Sequence, residues 1–393
     1  MGWNKTIKKR VKFFLKKIPI VIRFNAFLKR IFFKINQKKL EKYYSSIKIT
    51  KSSGDLKKLN SKQLKSVRHA FWVGTSESQD KSGMFQALEK IFLKFSYFTK
   101  DDGSYGLENP PERCFNKNVR DRNTLRLEFL INSFDEKPDL LIGQMMGLNI
   151  DPKLLKKLRD SGMIVINISD NDRMPAFWMR HGKNNLRLGG IELAKCVSIT
   201  LTTCSDRVDW FHKEGANAAY MSFASDVKIF SGLSKRDISI SFIGSRYGYR
   251  ENIVKAIRKA GLEIEVYGEG WPNGPLGVAE SAKINARSQI IIGSGLVEHM
   301  HDIYTLKLRD FDAMMSGGCY VTHRYPELLK LFEEGKHLYC YENLSELISI
   351  LKSALLNPAK TRKIGLEAQK KMRNEYSWEK MLKRKFDEID LIY

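Results

Sequence analysis

Residues Thr305-Leu306-Lys307-Leu308-Arg309-Asp310-Phe311-Asp312-Ala313-Met314-Met315-Ser316-Gly317-Gly318, followed at once by Cys319-Tyr320-Val321-Thr322, decide the reading of the chain. Leu308, Phe311 and Met315 recur at i, i+3 and i+7, the apolar stripe of a short helix. Thr305 can cap its start, and Gly317-Gly318 can end it through positive φ. The run after the glycines reads as a strand. Lys307 and Arg309 fall in the first turn, where the helix dipole is already positive. Cations there make sense if an anion sits between them and the free amides. Asp312, one turn further, can accept hydrogen bonds from two sugar hydroxyls. Diphosphate at the helix start and ribose one turn along make a nucleotide-sugar site. The plainer alternative is a surface helix with an Arg309–Asp312 ion pair, a weak interaction in water.

Outward from this stretch the pattern is strand and helix in alternation. Leu140-Leu141-Ile142-Gly143, Met163–Ile168 and Gln289–Gly293 are continuous apolar runs between helical segments, which predicts parallel sheets covered on both faces. One α/β series runs from Ala70-Phe71-Trp72-Val73-Gly74 to Ala218–Phe223. A second begins at Asp237–Ile243, and residues 224–236, rich in Ser, Asp, Gly and Lys, separate the two. The helix predicted over Asn123–Asn132 is expected to turn Leu125, Phe129 and Leu130 inward. The polar stretch 100–118, with Pro110-Pro111, reads as an insertion.

In open α/β sheets ligands gather beyond the carboxyl ends of strands. Gly244 ends one such strand, with Arg246 and Arg250 following, and Gly268 ends another. A glycine there admits a phosphate, and an arginine can neutralise it; a polar turn with a solvated arginine is the alternative. His299 and His301 stand at i, i+2 with no third ligand near, so no metal is expected. In the first series, Glu77 lies in the loop Gly74–Asp80, and Asp170 and Asp172 lie in Ser169-Asp170-Asn171-Asp172-Arg173. Each is a candidate for the carboxylate that takes an acceptor's proton, or a simple turn residue.

The charge is unevenly placed. The formal net charge is +24, and residues 1–68 hold 21 Lys and Arg against Glu41 and Asp55 alone. Ile7, Val11, Phe14 and Ile18, then after Pro19 Phe24, Phe27, Leu28, Ile31 and Ile35, form an apolar stripe with cations around it. This basic amphipathic arm either lies on an anionic membrane surface through residues 1–36 or packs its stripe onto the protein. No recognition module accompanies the charge, so nucleic acid is not an expected partner. Residues 37–66 read as a linker. Five cysteines without C-x-x-C or metal spacing suit reduced thiols and a cytoplasmic setting. No signal peptide and no apolar span of membrane length is legible.

The 305–322 stretch, with its Arg, an acid three residues later and a small-Gly-Gly end before a strand, resembles the donor-site helix of the group 1 glycosyltransferase family. That family has the GT-B fold, and the branch resembled is the spore-maturation type. The resemblance is specific over about 235–393, weaker over 69–234, and does not reach 1–68. It implies two Rossmann-like domains with parallel sheets facing a cleft: 69–230 the acceptor domain, 231–376 the donor domain, and 377–393 a helix crossing back near Tyr376-Ser377-Trp378; residues 1–68, the arm and linker read from charge and apolar spacing, precede them. It implies a nucleotide-sugar donor as co-substrate with no cofactor, a glycan or lipid-linked acceptor, and a role in cell-surface polysaccharide or glycoconjugate synthesis. The donor residues it implies are Gly244, Arg246, Arg250, Gly268, Thr305, Lys307, Arg309 and Asp312. Many retaining members carry two acids with seven residues between them. Tyr304 stands where the first would fall, so the anomeric outcome is not implied. A transferase fold that only binds nucleotide or glycan is the alternative function.

Overall fold

The computed structural model describes residues 19–49, 57–59, 66–110, 114–183, 185–232, 235–297 and 300–393, and the side chains of all of these except 19–26. The arm before Pro19, residues 50–56 and 60–65 of the linker, and His299 lie outside the described residues.

Helix α1 spans Pro19–Ser46. The first sheet is built from β1 (His69–Val73), β2 (Lys94–Tyr97), β3 (Leu140–Gly143), β4 (Ile164–Ser169), β5 (Ile199–Thr202) and β6 (Ala218–Tyr220), in spatial order β2-β1-β3-β4-β5-β6. All five pairings are parallel. Strands β1, β3, β4 and β5 are buried along their whole length, because helices cover both faces. Those helices include α2 (Met84–Ile91), α3 (Lys117–Asn132), α4 (Pro152–Asp160) and α5 (Val208–Lys213). In α4 the local sequence dictates the element: Asp151 caps by accepting from the Lys153 N–H, Pro152 takes the first helical position, and Leu154, Leu155 and Leu158 face the sheet.

The second sheet contains β7 (Ile238–Ile243), β8 (Glu265–Tyr267), β9 (Ser288–Ile292), β10 (Cys319–His323) and β11 (Tyr339–Tyr341), in the order β8-β7-β9-β10-β11, again all parallel. Its helices are α6 (Arg250–Lys259), α7 (Val278–Arg287), α8 (Leu308–Met315), α9 (Leu344–Leu356) and α10 (Pro358–Glu375), and α11 (Trp378–Glu388) closes the chain. In both sheets the strand order reverses beside the first strand. The crevices that open there, after β1 and β3 and after β7 and β9, are where ligands collect in such sheets.

The two Rossmann-like domains share one core. Phe311 on α8 lies 6.3 Å from Phe223 of the connector and 5.7 Å from Tyr376. At Tyr376 the chain crosses back. The Ser225 N–H donates to the Tyr376 carbonyl at 3.0 Å and the Trp378 N–H to the Ser225 carbonyl at 3.1 Å. Helix α11 then packs on the first domain, with Phe386 5.7 Å from Phe92. A side chain at Gly83 would meet the Trp378 ring at 2.6 Å, so this close approach needs glycine.

Three readings are corrected. In α3, Leu125 and Phe129 are solvent-exposed, and the inward set is Val119, Asn123, Leu127 and Ile131. The four-residue step from Val119 fixes the buried face, and Leu125 and Phe129 lie off it. Residues 37–46 are helix and not linker, because Leu40 and Tyr44 extend the packed face of α1 from Phe33. The stripe of α1 read as apolar is not the one that packs on the protein: Phe27, Leu28, Ile31 and Ile35 are 41–49% exposed. Among the described residues no helix is long and apolar enough to cross a membrane.

Candidate active site

Helix α8 begins at Leu308, two residues later than a Thr305 cap would place it. Asp310 sets the start. Its buried carboxylate accepts from the Lys307 N–H at 2.8 Å and from the hydroxyls of Tyr320 and Tyr325. Burial raises its pKa above the ordinary carboxylate value. Thr305 is buried elsewhere. Its N–H donates to the Gly295 carbonyl, and its hydroxyl lies 3.8 Å from the Cys204 sulfur of the other domain. Thr305 therefore leaves the donor set. Gly317, at φ +76°, ends the helix as expected.

Three cations converge where α8 begins. A Cβ at Gly244 would stand 2.7 Å from Arg309 Nη2 and 3.3 Å from Arg250 Nη1, so both guanidinium groups reach the space that the missing side chain leaves. Arg309 Nη1 is buried with no partner. Arg250 is buried and bonds the Ser245 carbonyl at 3.0 Å. Its pKa is pushed down to about 10, by burial first and then by Arg309. Lys307 is pushed down to about 8 by the same two causes in the same order. Among the described residues, no carboxylate forms a salt bridge with any of the three. Like charges gathered in a partly desolvated pocket raise the energy of the free protein, and an anion relieves it.

Asp312 stands one turn beyond, nine-tenths buried, with Oδ1 accepting from the Ser225 hydroxyl at 2.7 Å. Burial pushes its pKa up to about 8. Arg309 and Asp312 line one pocket of about 320 Å³ with Gly244, Leu308 and residues of α7. Helix α7 was not read from the sequence. Its Ala282, Asn285 and Ala286 are buried, but Lys283 and Arg287 interrupt the apolar pattern.

Two expected donor residues play other parts. The Arg246 guanidinium is paired with Glu251 at 2.8 Å and lies over the Trp271 ring at 5.3 Å. It stands outside the cluster of three. Gly268 supports its neighbour: a Cβ there would meet the Gly244 carbonyl at 2.4 Å, so the turns after β7 and β8 touch back to back.

Across the cleft, the candidate bases separate. Asp172 is fully buried, with its oxygens bonded by the Ser169 and Thr202 hydroxyls at 2.8 and 2.6 Å. Burial pushes its pKa up to about 7. It organises the domain interior and is out of an acceptor's reach. Glu77 is exposed and salt-bridged to Lys81 at 2.7 Å, a surface pair. Asp170 alone faces the cleft. It lines a second pocket of about 370 Å³ with Thr75, Ser76, Gln79 and Gln144, and its charge is felt by Lys307. Ser76 and Gln79 line both pockets, so the two are joined through one loop. Asp80 fixes that loop by accepting from the N–H groups of Thr75 and Ser76 and from the Tyr105 hydroxyl. Ser76, Gln79 and Asp80 were missed as functional residues, although their place after the first strand was the available signal.

Residues 248–386 match a protein family described as glycosyl transferase-like. Sucrose-phosphate synthase from Thermosynechococcus elongatus superposes with a TM-score of 0.58 at 9% identity, over 81% of this chain and 97% of that one. The Anabaena protein HepE, in complex with UDP-glucose, gives 0.57 at 10% identity, over 81% and 98%. The fold is GT-B, and residues 248–386 of its second domain are similar to the glycosyl transferase-like family. GT-B architecture also covers a structure assigned to a UDP-N-acetylglucosamine 2-epimerase of Listeria monocytogenes, with a TM-score of 0.52, 12% identity, and 84% and 100% coverage. The GT-B fold by itself therefore does not choose the reaction, and the site must. No curated protein matches the chain significantly.

Proposed function

We propose that this protein transfers a sugar from a nucleotide-sugar donor to a glycan or lipid-linked acceptor at the cytoplasmic face of the membrane, in cell-surface polysaccharide or glycoconjugate synthesis. The observation that carries the reading is the meeting of two pockets at Ser76 and Gln79, one holding Arg309 and Asp312, the other Asp170. Transfer needs two substrates in one cleft, and two joined pockets provide for them. The glycosidic bond to the donor's diphosphate breaks as the acceptor oxygen bonds the anomeric carbon. Negative charge then builds on the departing diphosphate, beside Lys307, Arg309 and Arg250. Fixed cations aimed at that charge supply the main electrostatic stabilisation, without a divalent metal. Asp312 holds the ribose hydroxyls. Asp170 is the remaining candidate to take the acceptor's proton. UDP is the nucleotide bound by HepE, and it is the first donor nucleotide to test here.

A thermal-shift screen of nucleoside diphosphates and nucleotide sugars tests the donor site. Ligand at a hundred times its Kd adds about 2.7 kcal/mol of stability and raises the melting temperature by several degrees. No shift with any nucleotide would remove the assignment. A shift without sugar release or transfer to any acceptor would favour a non-catalytic nucleotide-binding protein. The loss of Asp172 and Glu77 as bases is the observation that keeps that second reading in play.

Lys307 gives a pH signature. With its pKa near 8 in the free protein, the ammonium is present below that value and is lost above it. An anion favours the charged form, so the Lys307 contribution to UDP affinity is expected to be full below pH 8, while Asp312, which must lose its proton to bind ribose, weakens affinity as pH falls below that value. Above it, affinity falls by up to about tenfold per pH unit until the pKa of the complex is reached. Calorimetric titration between pH 6.5 and 9.5 reads this. Lys307→Arg should flatten the fall, because arginine keeps its charge.

A further inference from the structure

Helix α1 has two apolar faces, and the protein covers one. The inner face places Phe33 among Val297, Met300, Ile303 and Met174. It places Tyr44 flat on Trp210 at 4.4 Å, with its hydroxyl on Glu214 at 2.7 Å. Arg30 bonds His301, and Lys34 pairs with Asp302 at 2.6 Å. One end of α1 thus grips the 300–304 segment of the donor domain, and the other grips the acceptor domain. The gripped segment runs directly into Lys307 and α8.

The outer face carries Phe27, Leu28, Ile31, Phe32 and Ile35, each 41–59% exposed. At 100° per residue these five share one side of the helix, away from Phe33, Leu40 and Tyr44. Exposed Lys38 and Lys39 share that side, and the first acid in the sequence is Glu41. Charge decides between occupants. Two copies of this face would set cation against cation, whereas an anionic bilayer offers acyl chains to the aromatic side chains and headgroups to the lysines.

We infer that the outer face of α1 docks on an anionic lipid surface, and that the same helix passes this docking to the donor site by steadying residues 300–304. The inference rests on the membrane-surface reading above, and its test needs no turnover. The full chain is mixed with phosphatidylcholine vesicles containing one part in four phosphatidylglycerol, and sedimentation and hydrogen exchange are followed. The wild type is expected to bind these vesicles, with affinity reduced about tenfold or more on pure phosphatidylcholine and in Phe27→Glu/Phe32→Glu. Both substitutions are on the surface, so the melting temperature should hold. Vesicles should slow exchange of the 300–304 amides in the wild type. Phe33→Ala should keep vesicle binding and lose that slowing. Unchanged binding by the double variant would overturn the lipid face. Vesicle binding without slower exchange would overturn the coupling. A dimer without lipid that the double variant abolishes would assign the face to a second copy. The nucleotide thermal shift, measured without lipid, reports separately whether the donor reading stands.

Discussion

Arg309→Ala is expected to cut affinity for a nucleoside diphosphate by about two orders of magnitude, from loss of charge-assisted hydrogen bonds in a partly buried site. Donor turnover should fall below detection while the protein stays folded. Stability should hold or rise, because the substitution removes a buried, unpartnered Nη1 and a charge that presses on Lys307 and Arg250. The same relief should move the Lys307 pKa upward, so the pH at which residual UDP binding fades should shift to higher values. Arg309→Lys should restore only part of the binding, since a single ammonium lacks the planar fork. Gly244→Ala offers an independent route to the same loss, because its Cβ would sit 2.7 Å from Nη2 of an intact Arg309. Wild-type UDP binding in Arg309→Ala would take the diphosphate away from the start of α8.

Asp312→Asn is expected to separate binding from stability. The carboxyl holds its proton to about pH 8 in the free protein, against an ordinary value of 3.8. The stability contributed by the neutral form is fully present below pH 4 and is lost as pH rises through 8. At pH 7 the unfolded chain gains by ionising and the folded one does not, so the aspartate is a net cost there. Asparagine, which never ionises, should raise the melting temperature at pH 7 and flatten its dependence on pH. Two ribose hydroxyls need a carboxylate as acceptor, so nucleotide binding to the wild type at pH 7 should release up to one proton. Calorimetry in buffers of different ionisation enthalpy counts it. The variant should release none and lose about 3 kcal/mol of affinity, roughly a hundredfold. Equal proton release by both proteins would place the ribose elsewhere.

The parallel sheets were legible because β3, β4 and β9 each carry three consecutive buried aliphatic residues, and a run buried on both faces leaves few alternatives. The Gly317 end of α8 was legible for a similar reason, since one residue type tolerates the required backbone. The start of α8 was not. A threonine and an aspartate both cap helices, and the choice of Asp310 depends on Tyr320 and Tyr325 coming from another part of the fold. Asp170 and Asp172, two residues apart, looked alike in the sequence. Thr202 and Ser169 draw one into the interior and leave the other at the cleft. The arm was half legible. Four of its five outward apolar residues, Phe27, Leu28, Ile31 and Ile35, read as a stripe and Phe32 did not, while Phe33, Leu40 and Tyr44, spread over a longer period among lysines, gave no sign that the helix also binds the body.

The place where the chain passes between domains sets how the molecule can move. Ser225 and Tyr376–Trp378 are bonded side by side as one segment leaves the first domain and the other returns to it. With both connecting segments bonded together there, any turning of one domain on the other must pivot at this crossing. On the opposite lip, Arg173 bonds the Tyr304 carbonyl and pairs with Glu327 at 2.8 Å. That contact is a latch. Opening of the cleft about the crossing must break it, together with the hold of α1 on both domains.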